Sequence, residues 1–75
     1  MINLLILFVL NFYFDGRVSN VTEHEFSVVY LEKCKVYTIR SPQVARNLHV
    51  GDSIRVHFTD TEFDKVEVIK RVWEQ

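Results

Sequence analysis

The chain has one cysteine, one proline and two glycines in 75 residues, and no charged side chain before Asp15. Each shortage excludes something. A lone Cys34 cannot close an internal disulfide or build a multi-cysteine zinc site, and it makes a reducing, cytoplasmic setting the default expectation. So little Gly and Pro argues against a linker or a disordered segment. There is no Gly-rich phosphate loop and no nucleophile motif. His24, His49 and His57 stand at none of the spacings that bring metal ligands together, and a metal needs three or four that converge. Asp52, Asp60, Glu62, Asp64 and Glu67 make the second half rich in carboxylate but lack the central Gly and regular ligands of a calcium loop. The expectation is a protein that is not an enzyme and holds no metal or cofactor. A net charge of −1 means that nucleic-acid binding would require the nine basic residues to be gathered on one face.

What is present is a high apolar content, 48%, enough to give a short single domain (residues 1–75) a core near the lower size limit for independent folding. The densest stretch is the first. The run from Ile2 to Phe14 is interrupted only by Asn3 and Asn11. A membrane-spanning helix needs about 20 apolar residues, and this run as a helix would reach only about 20 Å. It lacks a basic start, and Asp15-Gly16-Arg17 does not resemble a signal cleavage site. Its β-branched and aromatic residues, Ile6, Phe8, Val9, Phe12, Tyr13 and Phe14, favour a strand, although its leucines favour helix. As a strand it places Leu4, Ile6, Phe8, Leu10 and Phe12 on one face, a stripe suited to pairing with another chain. Membrane insertion as a helix is the competing reading and is not favoured.

The remainder reads as strands separated by turn residues. The first strand covers about Leu4 to Phe14. Asp15-Gly16 then either closes a tight hairpin or marks a bulge where one long strand bends, and Arg17–Thr22 continues as strand. After Glu23-His24-Glu25, Phe26–Leu31 alternates with Phe26, Val28 and Tyr30 on one face. Glu32-Lys33-Cys34 turns into Lys35–Arg40, ended by Ser41-Pro42. Pro42–Leu48 is the one helical piece, with Ser41 as N-cap, Pro42 in the first turn and Val44, Ala45 and Leu48 as its buried stripe. Gly51-Asp52 turns into Ser53–Phe58, where Ile54, Val56 and Phe58 point inward and Arg55 and His57 outward. Phe63–Trp73 is the last strand, with a bulge or bend expected after Val68, where the apolar positions change parity. The predicted class is mainly β: a small five- to six-stranded antiparallel barrel with one short helix between the third and fourth strands. Closure would remove exposed strand edges.

Two pieces of this pattern carry a resemblance. Gly16-Arg17-Val18-Ser19-Asn20-Val21 followed by Glu25-Phe26-Ser27-Val28 resembles the opening of OB-type and related small barrels. Leu48-His49-Val50-Gly51-Asp52-Ser53-Ile54-Arg55-Val56 resembles the Val-Gly-Asp turn that leads into a late barrel strand, SH3-like barrels included. The resemblance implies a binding face on the second and third strands and the loops beside them. The very apolar start departs from that pattern and points to an excess strand that pairs with another chain.

Two binding readings follow. The first is a module that binds a protein partner and self-associates through the Leu4–Phe12 stripe, in the manner of a small accessory or inhibitor protein. The second is single-stranded nucleic-acid binding through Tyr30, Lys33, Lys35, Tyr37 and Arg40, because basic residues track phosphates and exposed aromatics stack on bases. Trp73 is expected to cap the barrel or to sit in an interface.

Overall fold

The computed structural model describes residues 11–60 and 62–75. Leu4, Ile6, Phe8 and Leu10 of the predicted interface stripe, and the start of the predicted first strand, lie outside the described residues. Five antiparallel strands form one sheet: β1 (Asn11–Val21), β2 (Glu25–Tyr30), β3 (Lys35–Arg40), β4 (Ser53–Thr59) and β5 (Phe63–Lys70). A short helix, α1 (Pro42–Ala45), joins β3 to β4, and a 3₁₀ turn, Val72–Glu74, follows β5. The spatial order is β3-β2-β1-β4-β5. The predicted strand count and helix position hold. Among the described residues, however, the sheet does not close into a barrel: β3 and β5 are its two edges, each paired with one described strand.

β1 is the central strand and does two jobs. Its first half, Asn11 to Arg17, pairs with Thr59 to Ser53 of β4. Its second half, Gly16 to Val21, pairs with Tyr30 to Phe26 of β2. Only Gly16 and Arg17 are paired on both sides. Asp15-Gly16 is therefore not a hairpin turn; the strand runs through it. The need for glycine is steric. A methyl group at Gly16 would collide with the carbonyl oxygen of Val29, and it would lie 2.7 Å from a methyl of Val28. The bulge in β1 comes later, at Ser19, where the register slips between Val18 and Asn20. The slip returns Val21 to the same face as Val18 and opposite Phe26.

The inward face follows period-two alternation. Val18, Phe26, Val28, Ile54 and Val56 are buried on it together with Ala45 and Leu48, and Val44, Ile39, Phe63, Val66 and Val68 pack around them. Burying one such side chain stabilises by about 1.5–3 kcal/mol. α1 is shorter than the predicted Pro42–Leu48. Ser41 has the extended backbone of an N-cap but makes no side-chain cap bond, and Pro42 opens the helix. The side-chain amide of Asn47 donates to the Gln43 carbonyl at 3.0 Å, so the Asn47 backbone N–H turns to Val44 instead and the helix tightens into turns. Ala45 and Leu48 still reach the core. The predicted irregularity after Val68 is present: Val68 faces Ile54, but Ser53 faces Lys70, leaving Ile69 unopposed. β5 ends at Lys70 and does not continue to Trp73.

The 3₁₀ turn is held by Asp52, which is fully buried. Its carboxylate accepts from the backbone N–H groups of His49 (2.9 Å) and Val72 (2.8 Å) and from Arg71 Nη1 (3.0 Å). Its own carbonyl accepts from Val18 N at the middle of β1 (2.9 Å). Burial by itself would raise the Asp52 pKa, but the two N–H groups and the guanidinium outweigh it and hold the carboxyl below the ordinary value. Gln75 adds bonds to the Gly51 carbonyl and Ser53 Oγ. Trp73 sits edge-on to His49, with ring centres 5.0 Å apart, and remains mostly exposed.

Two outcomes are expected. Gly16→Ala should lower stability by about 1–3 kcal/mol, because backbone rather than a flexible side chain must give way, and a thermal melt should show a Tm lower by about 5–15 °C. Asp52→Asn should destabilise by about 2–4 kcal/mol at neutral pH, since one donor now meets an NH₂ group and Arg71 loses its counter-charge. A depressed carboxyl pKa contributes stability above its unfolded value, and that stability is lost as pH falls through the folded value. The wild-type chain should therefore lose stability below about pH 4, and the Asn variant should lose less over the same range in urea titrations. An unchanged acid limb in the variant would contradict the role given to Asp52.

Candidate binding groove

The inward face has two halves. Toward α1 it is covered and forms the core. Toward the start of β1 no described element covers it, and it forms a groove of about 710 Å³. Its walls come from all five strands: Phe12 and Phe14 of β1, Tyr30 of β2, Tyr37 and Ile39 of β3, Val56 and Phe58 of β4, and Phe63 of β5. Register explains the convergence. Phe12 faces Phe58 and Phe14 faces Val56 across β1–β4, while Val28 faces Tyr37 and Phe26 faces Ile39 across β2–β3. β2 pairs with one side of β1 and β4 with the other, and rings from β2, β3 and β4 gather at Phe14. Phe14 lies 5.0 Å from the Tyr30 ring, 5.2 Å from Tyr37 and 6.0 Å from Phe58, and Phe12 stacks on Phe58 at 5.5 Å. Separations and tilts of this kind suit the ring quadrupoles. Phe12 and Tyr37 keep 42% and 40% of their surface exposed, so the groove is floored by rings that a ligand can touch.

The polar rim is unequal. Lys33 lines one side, and Asp60 and Glu62 line the other. The Tyr30 hydroxyl donates to Glu32 Oε2 at 2.9 Å. That bond, with burial and the Glu32 charge behind it, raises the Tyr30 pKa and keeps the phenol neutral. Cys34, which follows Lys33, is exposed, reduced and in the left-handed region at φ 51°.

The five residues predicted to bind nucleic acid do not form one patch. Tyr30, Tyr37 and Lys33 line the groove. Lys35 faces Tyr30 across the ladder and so shares its face. Arg40 does not. It pairs in register with Glu25, beside the inward pair Phe26 and Ile39, and so belongs to the opposite face of the sheet. Phe12, the one described residue of the predicted interface stripe, lies in the groove wall. Sequence reasoning missed Phe14, Phe58 and Phe63 as groove residues because each reads simply as core; only the open edge between β3 and β5 leaves them accessible.

The outer face carries a different arrangement. Arg55 binds Asp15 through two bonds of 2.7 and 3.1 Å and covers the Tyr13 ring at 4.5 Å, while His57 meets Glu67 at 3.1 Å. The Arg55 guanidinium holds the Asp15 carboxyl below its usual value. The three histidines each sit beside a different carboxylate, Glu23, Asp52 and Glu67, and among the described residues no group of His, Cys, Asp or Glu is placed to hold a metal ion. No described helix is long and apolar enough to cross a membrane. No protein-family model matches the chain, nor does any curated protein or solved structure. Fold and site together define the class: an open five-stranded antiparallel sheet with an aromatic groove between its edges.

Proposed function

We propose that this chain is a non-enzymatic binding module, acting in a reducing compartment such as the cytoplasm, whose groove takes an extended apolar segment of a protein and through which it self-associates. The observation that carries the reading is an aromatic floor lying between two sheet edges, β3 and β5, that are each paired with one strand among the described residues. A segment laid there gains main-chain bonds from an edge and pockets for alternate side chains, the mode called β-augmentation. It would also complete the six-stranded barrel that five strands leave open. An accessory or inhibitory role, in which the module sequesters a partner's strand, is in keeping with this mode.

Single-stranded nucleic acid is the second reading, supported by Tyr30, Lys35 and Tyr37 sharing one face. Charge supports the first. Asp60 and Glu62 on the rim and Glu32 at the Tyr30 hydroxyl oppose a phosphate backbone, and two lysines nearby do not outweigh them. An uncharged strand meets no such opposition.

Fluorescence titration of the full chain with an extended apolar peptide and with oligothymidylate, at low and high salt, separates these. Peptide binding should persist in high salt and weaken at least about 10-fold in Tyr37→Glu, which brings a charge to the apolar floor. Oligothymidylate affinity that falls steeply with salt and disappears in Lys33→Glu/Lys35→Glu, with no peptide binding, would overturn the proposal.

A further inference from the structure

We propose that the groove's resident occupant is residues 2–10 of a second copy of this chain, so that two copies exchange apolar strands reciprocally. This rests on the reading of the groove as a strand acceptor. The first support is position. Ten residues precede Asn11, and β1 begins at Asn11 already in register with Thr59, with Phe12 in the groove wall. The segment is therefore joined to the described chain beside the groove. The second is chemistry. Residues 2–10 contain no charged side chain and one Asn, and their even positions, Leu4, Ile6, Phe8 and Leu10, continue the parity of Phe12. Such a strand fits an aromatic floor and would bury no unpaired charge. The third is length. Nine residues in extended form span about 30 Å, enough to run beside β3 with its six residues and β5 with its eight.

The donor is a second copy because the sequence next to Asn11 carries no turn residue. Returning to its own groove would demand a tight turn immediately before Asn11, where β1 is already extended. Residues 4–10 offer no Gly, Pro, Asn, Asp or Ser, the residues that build most such turns. Exchange between two copies requires no reversal, and two-fold symmetry makes each copy donor and acceptor at once, so the assembly closes. Closure also shields the exposed edges of β3 and β5, which would otherwise invite open-ended association.

The test is light scattering coupled to size exclusion on the full chain, without detergent, with two variants. The wild-type chain should run at twice 8.9 kDa irrespective of salt. Phe8→Asp, in the donated segment, and Tyr37→Glu, in the acceptor wall, should each raise the dimer dissociation constant at least about 100-fold, and both should keep a wild-type far-ultraviolet spectrum. A peptide of residues 2–10 with a dilysine tail should then bind the Phe8→Asp monomer and not Tyr37→Glu. A dimer that survives Phe8→Asp, a wild-type monomer, or aggregation relieved only by detergent would overturn the exchange. The peptide arm keeps the two readings apart. Peptide bound by a chain that never dimerises overturns the exchange and leaves the groove as an acceptor, whereas no peptide binding by a folded monomer overturns both.

Discussion

The close approach of β1 to β2 at Gly16 is the constraint on which the rest depends. A single strand has to pair with β4 over one half and with β2 over the other, and the two pairings overlap only at Gly16 and Arg17. The Val29 carbonyl and the Val28 side chain occupy the space where a Cβ at Gly16 would stand. Without that vacancy β2 could not approach β1 so closely at this point. With it, Phe14 touches rings from β2, β3 and β4 at once.

The inward face is divided into a core and a groove. Asp52 secures the core side, since its side chain holds the C-terminal turn while its backbone holds β1. Among the described residues the groove side has no such closure, because β3 and β5 carry the same apolar alternation as the other strands but do not pair with each other. Phe12 and Tyr37 keep nearly half their surface exposed on this side, as the proposed acceptance of a strand would require. On the proposed reading the rim would select among ligands, because carboxylates at Asp60, Glu62 and Glu32 would oppose polyanions and leave uncharged segments unopposed.

Much of this was legible in the sequence. The strand spacing, the inward sets Phe26-Val28-Tyr30 and Ile54-Val56-Phe58, the Gly51-Asp52 turn and the irregularity after Val68 follow from period-two alternation and turn chemistry. Other features were not legible because they depend on contacts between distant residues. Asp15-Gly16 carries the signature of a hairpin and is instead a steric vacancy set by Val29, thirteen positions on. Arg40 reads as part of a basic patch until register sends it to the opposite face. Closure was inferred from strand number, yet pairing across the last gap depends on twist, which alternation does not encode. One signal was available and overlooked: Thr22 and Thr59 each accept the backbone N–H of a Glu three residues on and close their hairpins in the same way, so the repeated Thr-x-x-Glu marks both turns.

The central claim, that the gap between β3 and β5 receives a strand, is tested most directly by amide hydrogen exchange along those two edges as the full chain is diluted. The account predicts slow exchange of the outward amides of β3 and β5 in concentrated protein, turning fast on dilution while the amides between β1 and β4 stay protected. Outward edge amides that exchange rapidly at every concentration, with the remainder of the sheet protected, would contradict it.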